Sequence, residues 1–194
     1  MFHNLYKYII ILALPIFFIS CQKTELLEDV VFDNNLLEKI NINAESIKIN
    51  NSYEYKISEP FIDHTMLITP SQRIESWLED NVFIFGSTNK FIVNIKEASI
   101  IRNEIVNKDK TKKIIGNKEY IYKINMLINF ILYDNSDFIL ATTDVEVNRS
   151  TTSVMFISIN ERNHILDSLT LEALRDVTIK SIELLKIHMS AYML

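Results

Sequence analysis

The only cysteine of the chain, Cys21, offers the one thiol that could act as a nucleophile. The small residue Ser20 precedes it, and residues 8–19 before that are wholly apolar. Residues 1–7 carry the α-amino group and one lysine, so the order is a positive start, an apolar middle and a small residue. This order is typical of a secretory signal. The apolar run is shorter than the ~20 residues that cross a bilayer as a helix, so we predict a signal peptide over residues 1–20.

The stretch Phe18-Ile19-Ser20-Cys21 resembles the lipobox of bacterial lipoproteins. The resemblance implies that the Cys21 thiol carries lipid and that the signal is cut just before it. Several acyl chains, at ~0.8 kcal/mol per buried CH₂, would hold the protein firmly on a membrane. Phe18 departs from the Leu, Val or Ile usual at that position, and a plain signal peptide or short anchor with an incidental cysteine is the alternative. Gln22 after the cysteine implies a periplasm-facing protein of the outer membrane.

The remaining side chains that could take part in catalysis or metal binding form no recognisable motif. Gly86 and Gly116 are the only glycines, too few for a phosphate-binding loop or a nucleophile elbow. No histidine has a second histidine or a cysteine at the spacing of metal ligands; these histidines are His3, His64, His164 and His188. We therefore predict no catalytic residue, no metal site and no cofactor, and a protein that is not an enzyme.

The charge of the chain argues against nucleic acid as a partner. Lys and Arg number 20 and Asp and Glu 25, a net charge of −5, whereas phosphate binding needs a concentrated basic surface. One basic cluster comprises Lys108, Lys110, Lys112 and Lys113. We interpret it as a solvated loop, with a weak patch for anions or lipid headgroups as the alternative.

Alternating apolar and polar residues predict four strands. The first covers residues 47–57 and the second begins at residue 90, with a bulge near Glu97 where the alternation changes phase. The third, residues 119–133, places Tyr122, Ile124 and Met126 on one side. The fourth runs from residue 138 to about residue 152, and short connections predict that the last three form an antiparallel meander.

Two capping boxes predict two helices. Thr69-Pro70-Ser71-Gln72 begins one that should continue to Phe85 and end at Gly86. The sequence of residues 158–161, Ser-Ile-Asn-Glu, begins a second helix of roughly 30 residues.

The predicted order β-α-β-β-β-α defines an α+β fold. It is a two-layer sandwich in which a four-stranded, mainly antiparallel sheet is covered on one face by two helices. The predicted organisation is a signal peptide over residues 1–20, a lipid-anchored tether over 21–45 and an α+β domain over 46–194.

Residues 60–80, PFIDHTMLITPSQRIESWLED, form the most distinctive segment. The segment resembles a family of short uncharacterised envelope lipoproteins of alphaproteobacteria, at Pro60, His64, Pro70, Arg73 and Trp77. In element order alone, the chain also resembles LPS-assembly lipoproteins and auxiliary lipoproteins of ABC-type lipid transporters. This resemblance implies a non-catalytic subunit of an envelope assembly or transport machine.

The second side of the third strand is mixed. Ile121, Leu127 and Ile131 alternate there with lysine and asparagine, and they exceed what a fully solvated face requires. We predict that this face meets an envelope protein or a lipid. The alternatives are a membrane-tethered enzyme of unknown type and a structural lipoprotein without a fixed partner.

Overall fold

The computed structural model describes residues 27–106 and 118–194. Cys21, the predicted signal peptide and the lysine cluster at residues 108–113 lie outside these ranges. Within them, no helix is both long and apolar enough to cross a membrane.

The described chain forms an α+β fold with one main sheet and one small sheet. The main sheet has the order β2-β4-β5-β6, in which β2 pairs with β4 in parallel and the other pairs are antiparallel. The small sheet pairs β1 with β3 in parallel. The strands are β1 Ile40–Ile42, β2 Ser46–Asn51, β3 Val82–Ile84, β4 Lys90–Val106, β5 Lys118–Tyr133 and β6 Ile139–Val154.

Two helices cover one face of the main sheet, as predicted. Helix α1, Pro70–Asn81, packs against β4 and β2, and helix α2, Ile159–His188, packs against β6 and β5. Both predicted capping boxes are present, Thr69 with Gln72 and Ser158 with Glu161. Each box satisfies amide groups that the first helical turn leaves without partners.

The core lies between this sheet face and the helices. Ile124 on β5 and Trp77 on α1 are both completely buried. The predicted bulge on β4 is also confirmed, because the pairing with β5 shifts between Ile95 and Glu97. The extra residue restores the alternation, so that Ile100 faces the core like Ile95.

The prediction that the first helix reaches Phe85 is wrong. The helix ends at Asn81 because the β-branched and aromatic run that follows pairs with Ile40–Ile42. Gly86 does not supply a left-handed helix end. A Cβ there would lie 2.3 Å from Oδ1 of Asn43 and 3.0 Å from the amide nitrogen of Ala44, so a larger residue would require the Asn43 side chain to move.

The first predicted strand also ends early, at Asn51. Tyr55 and Ile57, which lie within the predicted strand, are both exposed. Beyond the bulge, the edge of β4 is bonded to another segment: the amide of Ile62 donates to the carbonyl of Ile100, 2.9 Å away. A bulge bends its strand and commonly terminates pairing, which explains why β2 stops there.

Part of the predicted tether, residues 21–45, belongs to the packed domain. Ile40 and Ile42 are fully buried, and the indole nitrogen of Trp77 donates to the carbonyl of Glu38 at 3.0 Å. The Asn81 amide donates to the carbonyl of Leu37 at 3.1 Å. The packed domain therefore begins before residue 46.

Candidate functional site

The face of the main sheet turned away from both helices, which we call the open face, holds the three predicted partner-binding residues. Ile121, Leu127 and Ile131 lie on the outward side of β5, and each is half-buried. Ile131 pairs with Ile92 of β4, whereas Leu127 lies between Glu97 and Glu146 of the neighbouring strands. At about 3.3 Å per residue, Ile121 lies roughly 20 Å from Leu127. The three residues therefore share a face without forming one continuous apolar patch.

A row of asparagines crosses the open face between Leu127 and Ile131. Asn50 of β2 donates from Nδ2 to Oδ1 of Asn94 on β4, at 2.9 Å. Asn94 donates in the same way to Asn129 of β5 at 3.1 Å, and Asn129 donates to the Thr142 hydroxyl of β6 at 3.3 Å. The Thr142 hydroxyl donates to the carbonyl of Phe130 at 3.2 Å. One directed set of hydrogen bonds thus links all four strands.

The asparagine row keeps hydrogen-bonding capacity beyond these contacts. Each amide has two N–H donors and an oxygen with two lone pairs, and the row uses only part of this capacity. Asn129 itself is 6% exposed, so its position is set by its neighbours. The row is therefore a rigid polar band flanked by half-buried aliphatic side chains.

Ion pairs border the same face. Lys96 on β4 lies 3.2 Å from Asp144 on β6, so this pair spans β5. Lys90 pairs with Asp137 at 2.7 Å near the β5–β6 turn. Both pairs are solvent-exposed, and such pairs contribute only ~0–1 kcal/mol each. Their arrangement gives the face charge of both signs.

This arrangement is suited to binding a protein surface. Interfaces between separately folded proteins combine apolar patches with a polar, hydrogen-bonded surround. An acyl chain laid on the open face would leave the outward amide groups without partners, which is costly. A protein that brings its own donors and acceptors can satisfy them.

A second polar feature lies between the N-terminal turns of the two helices. The guanidinium of Arg73 stacks on the ring of Phe32, 3.7 Å from the ring centroid, and its Nε is buried without a hydrogen-bond partner. Burial lowers the pKa of Arg73, and the Asp167 carboxylate partly counters this effect. Burial likewise raises the pKa of Asp167, against the opposing effects of Arg73 and His164.

Two clefts meet at Asp167. One of about 520 Å³ is lined by the described start of the chain, Leu27–Val30, and by the first turns of α2. The other, of about 170 Å³, is lined by Met66–Ile68 and Arg73. Asn163 and Asp167 line both, so the three segments meet at one end of the molecule.

A buried carboxylate lies on the far side of β2. Asp63 is completely buried, and its Oδ2 accepts a hydrogen bond from the Tyr53 hydroxyl at 3.0 Å. Its Oδ1 has no partner. Burial raises the pKa of Tyr53, with smaller contributions from the Asp63 carboxylate, so the hydroxyl remains a donor.

Metal-ligating side chains do not converge in the described ranges. No group of three or more His, Cys, Asp or Glu there could hold a metal ion. His64, His164 and His188 belong to a 3₁₀ turn and to opposite ends of α2. The absence of a catalytic function stays a prediction.

Sequence reasoning missed the asparagine row and the Tyr53–Asp63 contact. Outward asparagines are visible in the alternation of β4 and β5, at Asn94 and Asn129. Their alignment depends on strand register, which includes a bulge and a parallel partner that no local pattern specifies. Of the residues in the distinctive segment, Trp77 is core, Pro70 begins α1 and Arg73 lines the smaller cleft.

Comparisons with known proteins give distant structural likenesses. No family model matches the chain, and no curated protein matches it. A minor lipoprotein from Acinetobacter baumannii is 8% identical, covers 76% of this chain and 93% of its own, and has a TM-score of 0.40. Rare lipoprotein B from Shewanella oneidensis is 12% identical, with 73% and 96% covered and a TM-score of 0.39.

A Helicobacter pylori homologue of neuraminyllactose-binding hemagglutinin is 10% identical. It covers 84% of this chain and 96% of its own, with a TM-score of 0.42. Two of these three proteins are bacterial lipoproteins. At such TM-scores the likenesses support no role for this chain, and membership of an alphaproteobacterial family stays a prediction.

Proposed function

We propose that this chain is a bacterial envelope lipoprotein, anchored through Cys21, that acts as a non-catalytic binding subunit of an envelope assembly or transport machine. The anchor is supported by the position of the only cysteine, directly after Ser20 and an apolar segment. The location proposed is the periplasmic side of the outer membrane.

The binding role is supported by the open face of the sheet. Both described helices pack on the other side, and the open face keeps half-buried Leu127 and Ile131 on either side of the asparagine row. Such a surface gives a protein partner both apolar area and fixed hydrogen-bonding groups. We therefore propose a protein partner that covers β4, β5 and β6.

The anchor is tested by metabolic labelling of the full-length protein with a fatty-acid analogue in a bacterial host. We expect label on the protein and, by mass spectrometry, an acylated N-terminal Cys21. The control variant Cys21→Ser has no thiol and should take up none. An intact Met1 terminus, or an unlabelled Cys21 in the processed chain, would contradict the anchor.

The partner face is tested by substituting Leu127 with lysine. The cross-strand neighbours of Leu127 are Glu97 and Glu146, so an aspartate there would add a third negative charge and confound binding with folding. A lysine is compatible with both acids. We expect Leu127→Lys to abolish co-purification of proteins cross-linked in membranes while leaving the melting temperature nearly unchanged.

Ile187→Lys supplies the matched control. Ile187 is an exposed residue near the end of α2, so this change adds the same charge away from the open face. It should leave both cross-linking and melting unchanged. If Leu127→Lys retains its cross-linked partner, the open face is not the binding surface. If the wild-type protein cross-links to nothing, the structural lipoprotein without a fixed partner becomes the better account.

A further inference from the structure

The described start of the chain lies at one end of the domain, which we call the entry end. Leu27–Val30 line a cleft together with Ser158 and Glu161 at the first turn of α2. Strand β6 finishes at the same end, because only four residues separate Val154 from Ile159. The N-terminus of α1 is also there, since Asn163 and Asp167 connect the cleft to the segment before that helix.

Exposed apolar side chains gather at the entry end. Leu67 is 98% exposed and Phe156 is 86% exposed, although both are large and apolar. Three more exposed apolar residues come from the segments that meet there: Leu27, Val31 and Ile159. Where such side chains lie together in one patch, the patch is suited to contact with another apolar phase or surface.

The short distance between Cys21 and the entry end indicates which apolar phase these side chains contact. Five residues separate Cys21 from Leu27, and the six Cα–Cα steps between them span at most about 22 Å. By contrast, the 16 residues of β6 extend over about 50 Å. Acyl chains on Cys21 would therefore hold the entry end close to the bilayer surface.

The opposite end of the sheet provides the comparison. Phe138, at the other end of β6, is also highly exposed. Exposure alone therefore does not distinguish the two ends, whereas the position of the anchor does.

We infer that the entry end docks in the interface of the phospholipid bilayer, with Phe156, Ile159 and Leu67 inserted at the boundary between headgroups and acyl chains. This inference rests on the proposed lipid anchor. The surface that the entry end contacts is the bilayer itself, because the segment between Cys21 and Leu27 is too short to let the entry end lie far from the membrane. Apolar side chains at this boundary add to the binding that the acyl chains supply. In this orientation β4, β5 and β6 rise away from the membrane, and the open face points sideways.

The depth of each end can be measured with two tryptophan variants of the full-length, processed protein. Phe156→Trp and Phe138→Trp place an indole at opposite ends of the same strand, at positions that are both highly exposed. Trp77 is completely buried and contributes the same background to each. The proteins are reconstituted in phosphatidylcholine vesicles with and without brominated acyl chains, which quench indole fluorescence at short range.

We expect the tryptophan at 156 to lose most of its emission in brominated vesicles and the tryptophan at 138 to keep its emission. Equal emission from the two variants, in protein that floats with the vesicles, would overturn the inference while leaving the anchor intact. Quenching at 138 alone would also overturn it. Mass spectrometry of the same samples tests the anchor separately, and an unmodified Cys21 would overturn the anchor and the docking geometry with it.

Discussion

Asp63 is a buried carboxyl group whose environment makes the fold depend on one neighbouring side chain. It is completely buried, and among the described residues the Tyr53 hydroxyl is the one donor to its carboxyl group, while Oδ1 has none. Buried carboxyl groups without donors are costly. The Tyr53 hydroxyl is therefore worth more to the fold than an ordinary hydrogen bond.

We expect Tyr53→Phe to lower the free energy of unfolding by about 1.5–3 kcal/mol, the range for hydrogen bonds to charged groups. Urea denaturation at neutral pH measures this. Tyr55→Phe is the matched control, because Tyr55 is exposed and two residues away. Equal stabilities for the two variants would contradict a supporting role for the Tyr53 hydroxyl.

Tyr53 also makes the free energy of unfolding depend on pH in the alkaline range. Burial, with the Asp63 carboxylate, raises the pKa of Tyr53 above its usual value of about 10. The contribution of its proton is therefore fully present below about pH 10 and is lost as the pH rises through the folded-state pKa. As the pH rises from about 10 through the folded-state pKa of Tyr53, the free energy of unfolding should therefore fall less in Tyr53→Phe than in the wild type.

At the scale of secondary-structure elements, β5 contributes an uninterrupted set of inward side chains to the core. Its inward residues alternate without interruption, and Tyr122, Ile124, Met126, Ile128 and Phe130 are all buried. Helix α2 supplies the facing residues, among them Leu169 and Ala173. Burial of such facing surfaces stabilises the pair of layers by ~25 cal/mol per Å² of apolar area.

Ile124→Ala should lower the free energy of unfolding by ~2–5 kcal/mol, because it removes buried methyl groups and leaves a cavity. Thermal or urea denaturation measures the change. Ile179→Ala, at an exposed position of α2, should stay within about 0.5 kcal/mol of the wild type. A comparable loss from both variants would show that burial on β5 is not what the measurement reports.

At the scale of the whole molecule, two side chains of α1 join the N-terminal segment to the domain. Trp77 donates to the carbonyl of Glu38, and the Asn81 amide reaches the carbonyls of Asn34, Leu37 and Glu38 at 2.8–3.3 Å. These contacts direct the chain from the entry end across α1 to β1. They therefore set where the proposed anchor lies relative to the sheet.

Asn81→Ala should loosen this segment, since it removes the side-chain donor to the buried carbonyl of Leu37. We expect a loss of about 1–3 kcal/mol and faster amide exchange in residues 34–44 than in β5. Hydrogen exchange with mass spectrometry resolves the two regions. Asn103→Ala, at an exposed position of β4, should change neither. Unchanged exchange in residues 34–44 would show that Trp77 and the β1–β3 pairing are sufficient.

Local patterns in the sequence determined the helix starts, the β4 bulge and the buried side of β5. Each of these depends on residues close together in the chain: Thr69 with Gln72, Ser158 with Glu161, and the change of phase near Glu97. A cap or an alternation acts over one turn or one pleat, so its physics is visible in a short window. The position of Cys21 directly after Ser20 is a signal of the same short range, and the anchor it indicates stays a prediction.

Only the tertiary structure decided which distant segments pair. The early end of α1, the packing of Ile40 and Ile42, and the limit of β2 at Asn51 all follow from strand partners far away in sequence. The asparagine row and the contact of Tyr53 with Asp63 arise in the same way. Strand register and burial are properties of the assembled layers, because a side chain gains or loses partners only when the neighbouring strand is in place.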